Sequence, residues 1–322
     1  MRRIRHVDRI SIASPADFVI GPAGALDLAG ASQKPWLPYC IDLPRRRAVY
    51  VAGADVAGAQ DAPFYYLYLR RHAQRIAFVP WAAGGLRKTA GRAPIFLFSP
   101  GRCGSTLVSR MLSAAAVANV SEPDFYTQAT SVMLSTRFNP WRERIRSVIA
   151  AMGGDLAAAL DPAQSPVVKL RAESCRAPDL LVDPRERRTL FLTRGFEAWT
   201  RSNERAFRNG AHKSVGKYLR ALRCYSWLKH NSMCHPMRYE DLQADPLAAA
   251  AALSGFLGRD ISAAAVLSTM KEDSQDGTPL RQGARPDRPG WERRFDETMA
   301  LWNSARVREV RDRLDVEDLH TG

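Results

Sequence analysis

From Pro94 onward the apolar positions fall into two alternating patterns. Ile95, Phe96, Leu97 and Phe98 form a continuous apolar run, as in a short strand covered on both faces. The run ends in Ser99-Pro100-Gly101. Leu107, Val108, Met111 and Leu112 then recur at helical spacing and predict a helix from about Ser105. Val167-Val168-Lys169-Leu170 and Thr189-Leu190-Phe191-Leu192-Thr193 repeat the strand pattern, and Phe196, Trp199 and Phe207 mark the apolar side of a helix after the second of these. A short return through Val117 to Val120 precedes Ser121-Glu122-Pro123-Asp124-Phe125. Met237-Arg238-Tyr239 closes another strand. Asp245-Pro246 reads as an N-cap with proline in the first turn, opening an Ala- and Leu-rich helix that stops near Gly258. Strands and helices in this order predict an α/β fold, a three-layer parallel sheet with helices on both faces.

Residues 1–92 read differently, as short apolar pieces such as Ala48–Val51 and Ile76–Trp81 separated by Gly, Pro and Ala clusters. They are expected to form a mixed, irregular extension, with 93–322 as the main domain. The aromatic run Phe64, Tyr65, Tyr66, Tyr68 is either packing against that domain or a wall of an acceptor site. The basic stretch Arg87–Arg92 reads as a connector. The segment from about Lys271 to Trp291, rich in Gly, Pro, Asp and Arg, reads as a loop before a terminal helix.

At 322 residues, 46% hydrophobic and 25% charged, the chain can bury an ordinary core, which excludes a disordered tail or a disulfide-stapled mini-fold. The charge is less ordinary. Of 47 basic residues only seven are Lys, and the net charge is +14. Arginine's planar fork of donors matches phosphate and sulfate oxygens, so the excess reflects either an anionic ligand or an Arg- and Ala-biased composition. Five scattered cysteines without a CxxC indicate neither a disulfide framework nor zinc, and suit a reducing compartment. The basic start, Met1–Ile12, has no apolar stretch after it and no run of about 18 apolar residues occurs. A cytoplasmic protein without a membrane span is expected.

Ser99-Pro100-Gly101-Arg102-Cys103-Gly104-Ser105-Thr106 lies where a strand hands over to a helix, the place where backbone amides and a helix N-terminus surround an anion. Gly101 and Gly104 permit a tight backbone, Ser105 and Thr106 add hydroxyls, and Arg102 adds charge. The Walker A motif would need glycine at position 99 and lysine at position 105, which hold serines. The loop instead resembles the 5′-phosphosulfate-binding loop of sulfotransferases that use 3′-phosphoadenosine 5′-phosphosulfate (PAPS), in the arginine version of the bacterial carbohydrate and protein-tyrosine branches.

A second stretch, Leu192-Thr193-Arg194-Gly195-Phe196-Glu197-Ala198-Trp199-Thr200-Arg201-Ser202, is similar to the family's 3′-phosphate site, in which an arginine at a strand end and a serine eight residues later hold one phosphate. Arg194 and Ser202 have that spacing, and both would face the carboxyl edge of the sheet. The family's usual Asp-Pro after the arginine is replaced by Gly195-Phe196. Arg238-Tyr239-Glu240-Asp241-Leu242 resembles a third segment, in which Tyr239 would approach the nucleotide while Glu240 and Asp241 make a structural corner. The resemblance spans about Pro94 to Gly258, with a looser match from Arg281 to Trp291.

The resemblance implies a P-loop NTPase-like sulfotransferase fold and transfer of the PAPS sulfuryl group to a hydroxyl acceptor, without a metal. Such a transfer passes through a loose, in-line transition state, so the protein positions the reactants and neutralises the leaving phosphate. Cofactor contacts fall to Arg102, Cys103, Gly104, Ser105, Thr106, Arg194, Ser202 and Tyr239, with Arg102 also stabilising the charge that develops. Glu122 is the expected general base, against a reading as a helix cap or a salt bridge to Arg102; Asp124 is a weaker substitute. Lys169 either aims a cation at the transferred group or is a solvated strand-end lysine. Of the histidines, His212 is the one that would replace Glu122.

The acceptor is left open among carbohydrate, peptide, lipid and small molecule. The competing functions are a P-loop kinase, a nucleotide-binding protein without transfer, and a basic nucleic-acid-binding protein. No nucleic-acid module is recognisable. Between Asp183 and Arg223, eleven Lys and Arg face four acids, so half of the net charge surrounds Arg194, as a polyanionic nucleotide would require.

Overall fold

The computed structural model describes residues 2–3, 11–21, 24, 35–81, 92–132, 141–184, 188–207, 209–271 and 289–319. Its principal elements, in chain order, are β1 (Leu37–Asp42), β2 (Arg47–Ala52), α1 (Tyr65–His72), β3 (Arg75–Pro80), β4 (Ile95–Phe98), α2 (Ser105–Ala114), β5 (Asn119–Ser121), α3 (Asp124–Val132), α4 (Arg142–Leu160), β6 (Val167–Lys169), β7 (Arg188–Thr193), α5 (Phe196–Ala206), α6 (Ala211–Asn231), β8 (Met233–Arg238), α7 (Tyr239–Ala244), α8 (Pro246–Leu257) and α9 (Trp291–Trp302).

β8, β7, β4, β6 and β5 form, in that order, one five-stranded sheet with parallel pairing. Its middle strands are short and covered: all four residues of β4 and all three of β6 are buried, whereas β8, at the edge, is mostly part-exposed. The expected α/β class with a parallel sheet and helices is therefore what the chain adopts. Register matters most at the strand ends. Thr193 on β7 faces Arg238 on β8, so the next residues, Arg194 and Tyr239, leave the sheet side by side. Ser121 on β5 likewise faces Lys169 on β6.

By internal contacts the chain divides into two compact units, Met1–Ile95 with Ala118–Leu170 and Asp179–Leu181, and Phe96–Val117 with Arg171–Pro178 and Val182–Gly322. The first unit corrects the reading of residues 1–92 as irregular. β1, β2 and β3 make an antiparallel sheet, with Leu37 opposite Val51 and Val49 opposite Phe78. Tyr65 and Tyr66 are fully buried, so half of the aromatic run is core. Buried Arg70 is paired with Asp17 at 3.1 Å. Asp124 is also fully buried and accepts a hydrogen bond from the Ala13 amide at 2.7 Å.

The second unit is held by an aromatic cluster. Phe196 stacks on Trp302 with centroids 3.8 Å apart, and Tyr218 meets both rings edge-on; aromatic pairs of this kind add stability beyond the area they bury. Beneath α5 the carboxylate of Glu204 has no exposure and is satisfied by Arg294, Asn203 and Ser214. Asp245 caps α8 through the Ala248 amide at 2.9 Å, and Gly258, at φ 67°, ends it, as the sequence predicts. β8 begins four residues before the predicted Met237 and stops at Arg238, so Tyr239 opens α7 instead of closing the strand. The connector at 87–91 and the family-like stretch at 281–288 lie outside the described residues. No described helix is long and apolar enough to cross a membrane.

Candidate nucleotide-binding site

In the second unit the loop after β4 turns through three left-handed residues, Gly101 (φ 75°), Arg102 (φ 60°) and Gly104 (φ 82°). Such a backbone directs successive N–H groups into a concavity suited to an anion. Gly104 stands at the N-cap of α2, where no side chain caps the helix. The first turn therefore has no side-chain cap and carries the partial positive charge of the helix end. Ser105 and Thr106 lie in that turn and are buried.

The loop is held from two sides. Trp199 on α5 donates its Nε1–H to the Gly101 carbonyl at 2.7 Å. Cys175 contacts the Ser99 carbonyl through Sγ at 3.4 Å. Cys103 is itself fully buried with its thiol turned to the Gly101 carbonyl at 3.3 Å, and burial pushes its pKa far up. Of Cys103, the structure shows a core side chain whose backbone belongs to the loop.

Around the loop stand the other residues singled out from the sequence. The Tyr239 ring is packed on Gly104: a Cβ there would come within 2.7 Å of its Cε2. The Arg194 guanidinium lies over the same ring, 4.6 Å from its centroid, a cation–π arrangement. Arg102 donates from Nε to the Ser202 hydroxyl at 3.2 Å. Arg102, Gly104, Arg194, Ser202 and Tyr239 thus converge, although they come from three separate stretches of sequence.

The electrostatics of this group are one-sided. Burial is the main cause that pushes the Arg102 pKa down, and the charge of Arg194 adds to it. Two guanidinium groups this close, both partly buried, are unfavourable without an anion. Arg194 Nε is buried and has no hydrogen-bond partner among the described residues. A buried donor left over in this way, beside a second guanidinium and an uncapped helix start, suits a phosphorylated ligand.

The turn at Gly195-Phe196 is held from another segment. Glu240 accepts a hydrogen bond from the Gly195 amide at 2.9 Å and so caps the start of α5 from outside. Tyr218, on α6, donates to the Arg194 carbonyl at 2.6 Å and is also bonded to Thr193. Tyr218 was not signalled by the sequence; its only mark there is a helical position among apolar residues. Asp241 sits 3.8 Å from Arg238 at the same corner.

Glu122, Asp124 and Lys169 lie in the first unit, and His212 in the second. Glu122 follows β5 with φ 61°, a left-handed conformation that a non-glycine residue adopts only under constraint. The constraint is visible: the Glu122 amide donates to the Lys169 carbonyl at 2.7 Å, and its Oε1 lies 3.3 Å from Lys169 Nζ. Lys169 is only 4% exposed, not a solvated strand-end lysine, and its ammonium is 5.9 Å from the Phe64 ring centroid. Among the substitutes for Glu122, Asp124 is engaged in the core and His212 is exposed at the start of α6.

No family model matches the chain, and no curated protein matches it. Among solved structures it is similar to the sulfotransferase domain from the curacin biosynthetic pathway, at 14% identity and a TM-score of 0.44, over 72% of this chain and 98% of that one. It is also similar to retinol dehydratase in complex with androsterone and the inactive cofactor PAP (3′-phosphoadenosine 5′-phosphate), at 13% identity and a TM-score of 0.43, over 74% and 88%. A third is the sulfotransferase domain of the Synechococcus PCC 7002 olefin synthase, at 16% identity and a TM-score of 0.41, over 66% and 88%.

Proposed function

We propose that this chain is a PAPS-dependent sulfotransferase acting on a hydroxyl acceptor. The observation that carries the reading is the gathering of Arg102, Arg194, Ser202 and Tyr239 around Gly104, with a buried, unused guanidinium donor and no side chain capping the helix. The loop amides and Ser105 and Thr106 would hold the 5′-phosphate, Arg194 and Ser202 the 3′-phosphate, and the Tyr239 face would support the nucleotide.

When bound, the donor supplies the sulfuryl group: the acceptor oxygen bonds to sulfur as the bond from sulfur to the 5′-phosphate oxygen breaks, and PAP leaves. In this reading Glu122 takes the acceptor proton on its carboxylate. Lys169, held beside it, steadies the carboxylate and offers a cation to the transferred group. Arg102 turns from Ser202 to neutralise charge on the departing phosphate, as electrostatic stabilisation of phosphoryl-like transfer requires. Phe64, beside Lys169 in the same unit, supports a part for the N-terminal stretch in walling the acceptor, whose own chemistry is a hydroxyl.

The test is thermal unfolding of the full chain with PAP, and with ATP and magnesium. PAP is expected to raise Tm by several degrees without any metal while ATP with magnesium does not, and absence of a PAP shift would overturn the donor assignment.

A further inference from the structure

The loop lacks the lysine that nucleoside triphosphate-binding loops carry directly after the last glycine, since position 105 is serine. A lysine nevertheless reaches the loop from elsewhere. Lys217, on the second turn of α6, places Nζ 3.7 Å from the position of a Cβ on Gly101. Its ammonium is flanked by the rings of Trp199 and Phe207, at 5.9 and 5.7 Å from their centroids. Trp199 is the residue that fixes the Gly101 carbonyl, so the loop and the lysine share one support.

Lys217 is half-buried, and among the described residues it has no hydrogen bond and no ion pair. The charged and titratable groups around it are Glu173, Cys103, Cys175 and Lys213. Burial pushes its pKa down, and Glu173 opposes this only in part. Lys213, one turn earlier on the same face of α6, adds a like charge. A structural lysine at this depth is expected to carry a carboxylate partner. This one stands beside the Gly101 backbone of the loop instead.

We propose that Lys217 is a donor-binding residue, its ammonium contacting the 5′-phosphosulfate end of the nucleotide and replacing, from α6, the lysine missing at position 105. The inference rests on the donor assignment made above. It adds a cation that neither the loop motif nor the Arg194–Ser202 spacing contains, and it separates the ends of the nucleotide: Lys217 with the loop at the 5′ end, Arg194 with Ser202 at the 3′ end.

Calorimetric titration of the full chain with PAP and with adenosine 3′-phosphate, which lacks the 5′-phosphate, tests it. Lys217→Met keeps the hydrocarbon contact with Trp199 and Phe207 and removes the charge. It is expected to weaken PAP at least tenfold, leave adenosine 3′-phosphate within twofold of wild type, and unfold at no lower temperature without ligand. Lys217→Arg is expected to recover most of the PAP affinity, and Arg194→Ala to weaken both ligands. Unchanged PAP affinity in Lys217→Met, or an equal loss for both ligands, overturns the role of Lys217 and leaves the donor assignment standing. Failure of the wild-type chain to bind either ligand overturns both.

Discussion

The ring of Tyr239 occupies the space that a side chain at Gly104 would need, with Cε2 2.7 Å from the Cβ position and Cδ2 closer still. The backbone at 104 is also left-handed, at φ 82°. Position 104 is therefore restricted twice over, by conformation and by a neighbour 135 residues away in sequence. Gly104→Ala is expected to lose of order 1–3 kcal/mol of stability from the backbone alone and to abolish PAP binding. Adding Tyr239→Ala should restore part of the stability and none of the binding. Denaturant unfolding of the single and double variants measures this; strict additivity would show that the ring does not press on the loop.

Trp199 joins the aromatic core to the Gly101 carbonyl through one hydrogen bond. Trp199→Phe retains most of the ring burial but removes the donor. It should cost about 1 kcal/mol for the lost indole hydrogen bond, the Gly101 carbonyl keeping only the weak Cys103 thiol donor, and weaken PAP binding several-fold. Thermal unfolding and PAP titration are the measurements, and unchanged affinity would mean that the loop needs no such tether.

Glu122→Gln preserves shape and removes the proton acceptor. Turnover with a competent acceptor is expected to fall by at least about 100-fold, with PAP affinity unchanged. Lys169→Met is expected to lower both turnover and stability, because it removes a buried ammonium from beside the Glu122 carboxylate, which is 14% exposed. Turnover by Glu122→Gln at the wild-type rate would remove Glu122 as the base.

His235 on β8 is half-buried and stacks on Phe256 with centroids 5.1 Å apart. Burial lowers its pKa below the usual 6.5, so the unfolded chain takes up a proton at a higher pH than the folded one. Its contribution to stability is complete above pH 6.5 and is lost as the pH falls through the folded value. Tm of wild type should therefore decline on acidification below about pH 6.5 more steeply than Tm of His235→Phe. Parallel Tm profiles for the two proteins would exclude this role.

The strands that are continuous apolar runs were legible: Ile95–Phe98 matches β4, and the predicted helix start at Ser105 is the start of α2. The cap at Asp245 and the stop at Gly258 were equally plain, since each acts on its own neighbours. The antiparallel sheet before residue 81 was not, because its strands are broken by Pro38 and the tight turn at Leu43–Arg46, and their pairing is a matter of tertiary packing. The motif residues at the loop could be named, but their arrangement could not: the Arg102–Ser202 bond and the Tyr239–Gly104 contact depend on strand register. Lys217 and Tyr218 carried no motif at all. They matter because α6 presents them, one to Gly101 and the other to the Arg194 carbonyl.

The hydrogen bond from the Gly195 amide to Glu240 spans 45 residues. The start of α5 is thus held by a carboxylate on another segment and not by a residue of its own turn. Replacing Glu240 by a residue that cannot accept would leave the Gly195 amide, next to Arg194, without this acceptor. Glu240 directly follows the Tyr239 that packs on Gly104, so one short corner at the start of α7 carries both the acceptor that holds Gly195 and the ring that closes on the loop.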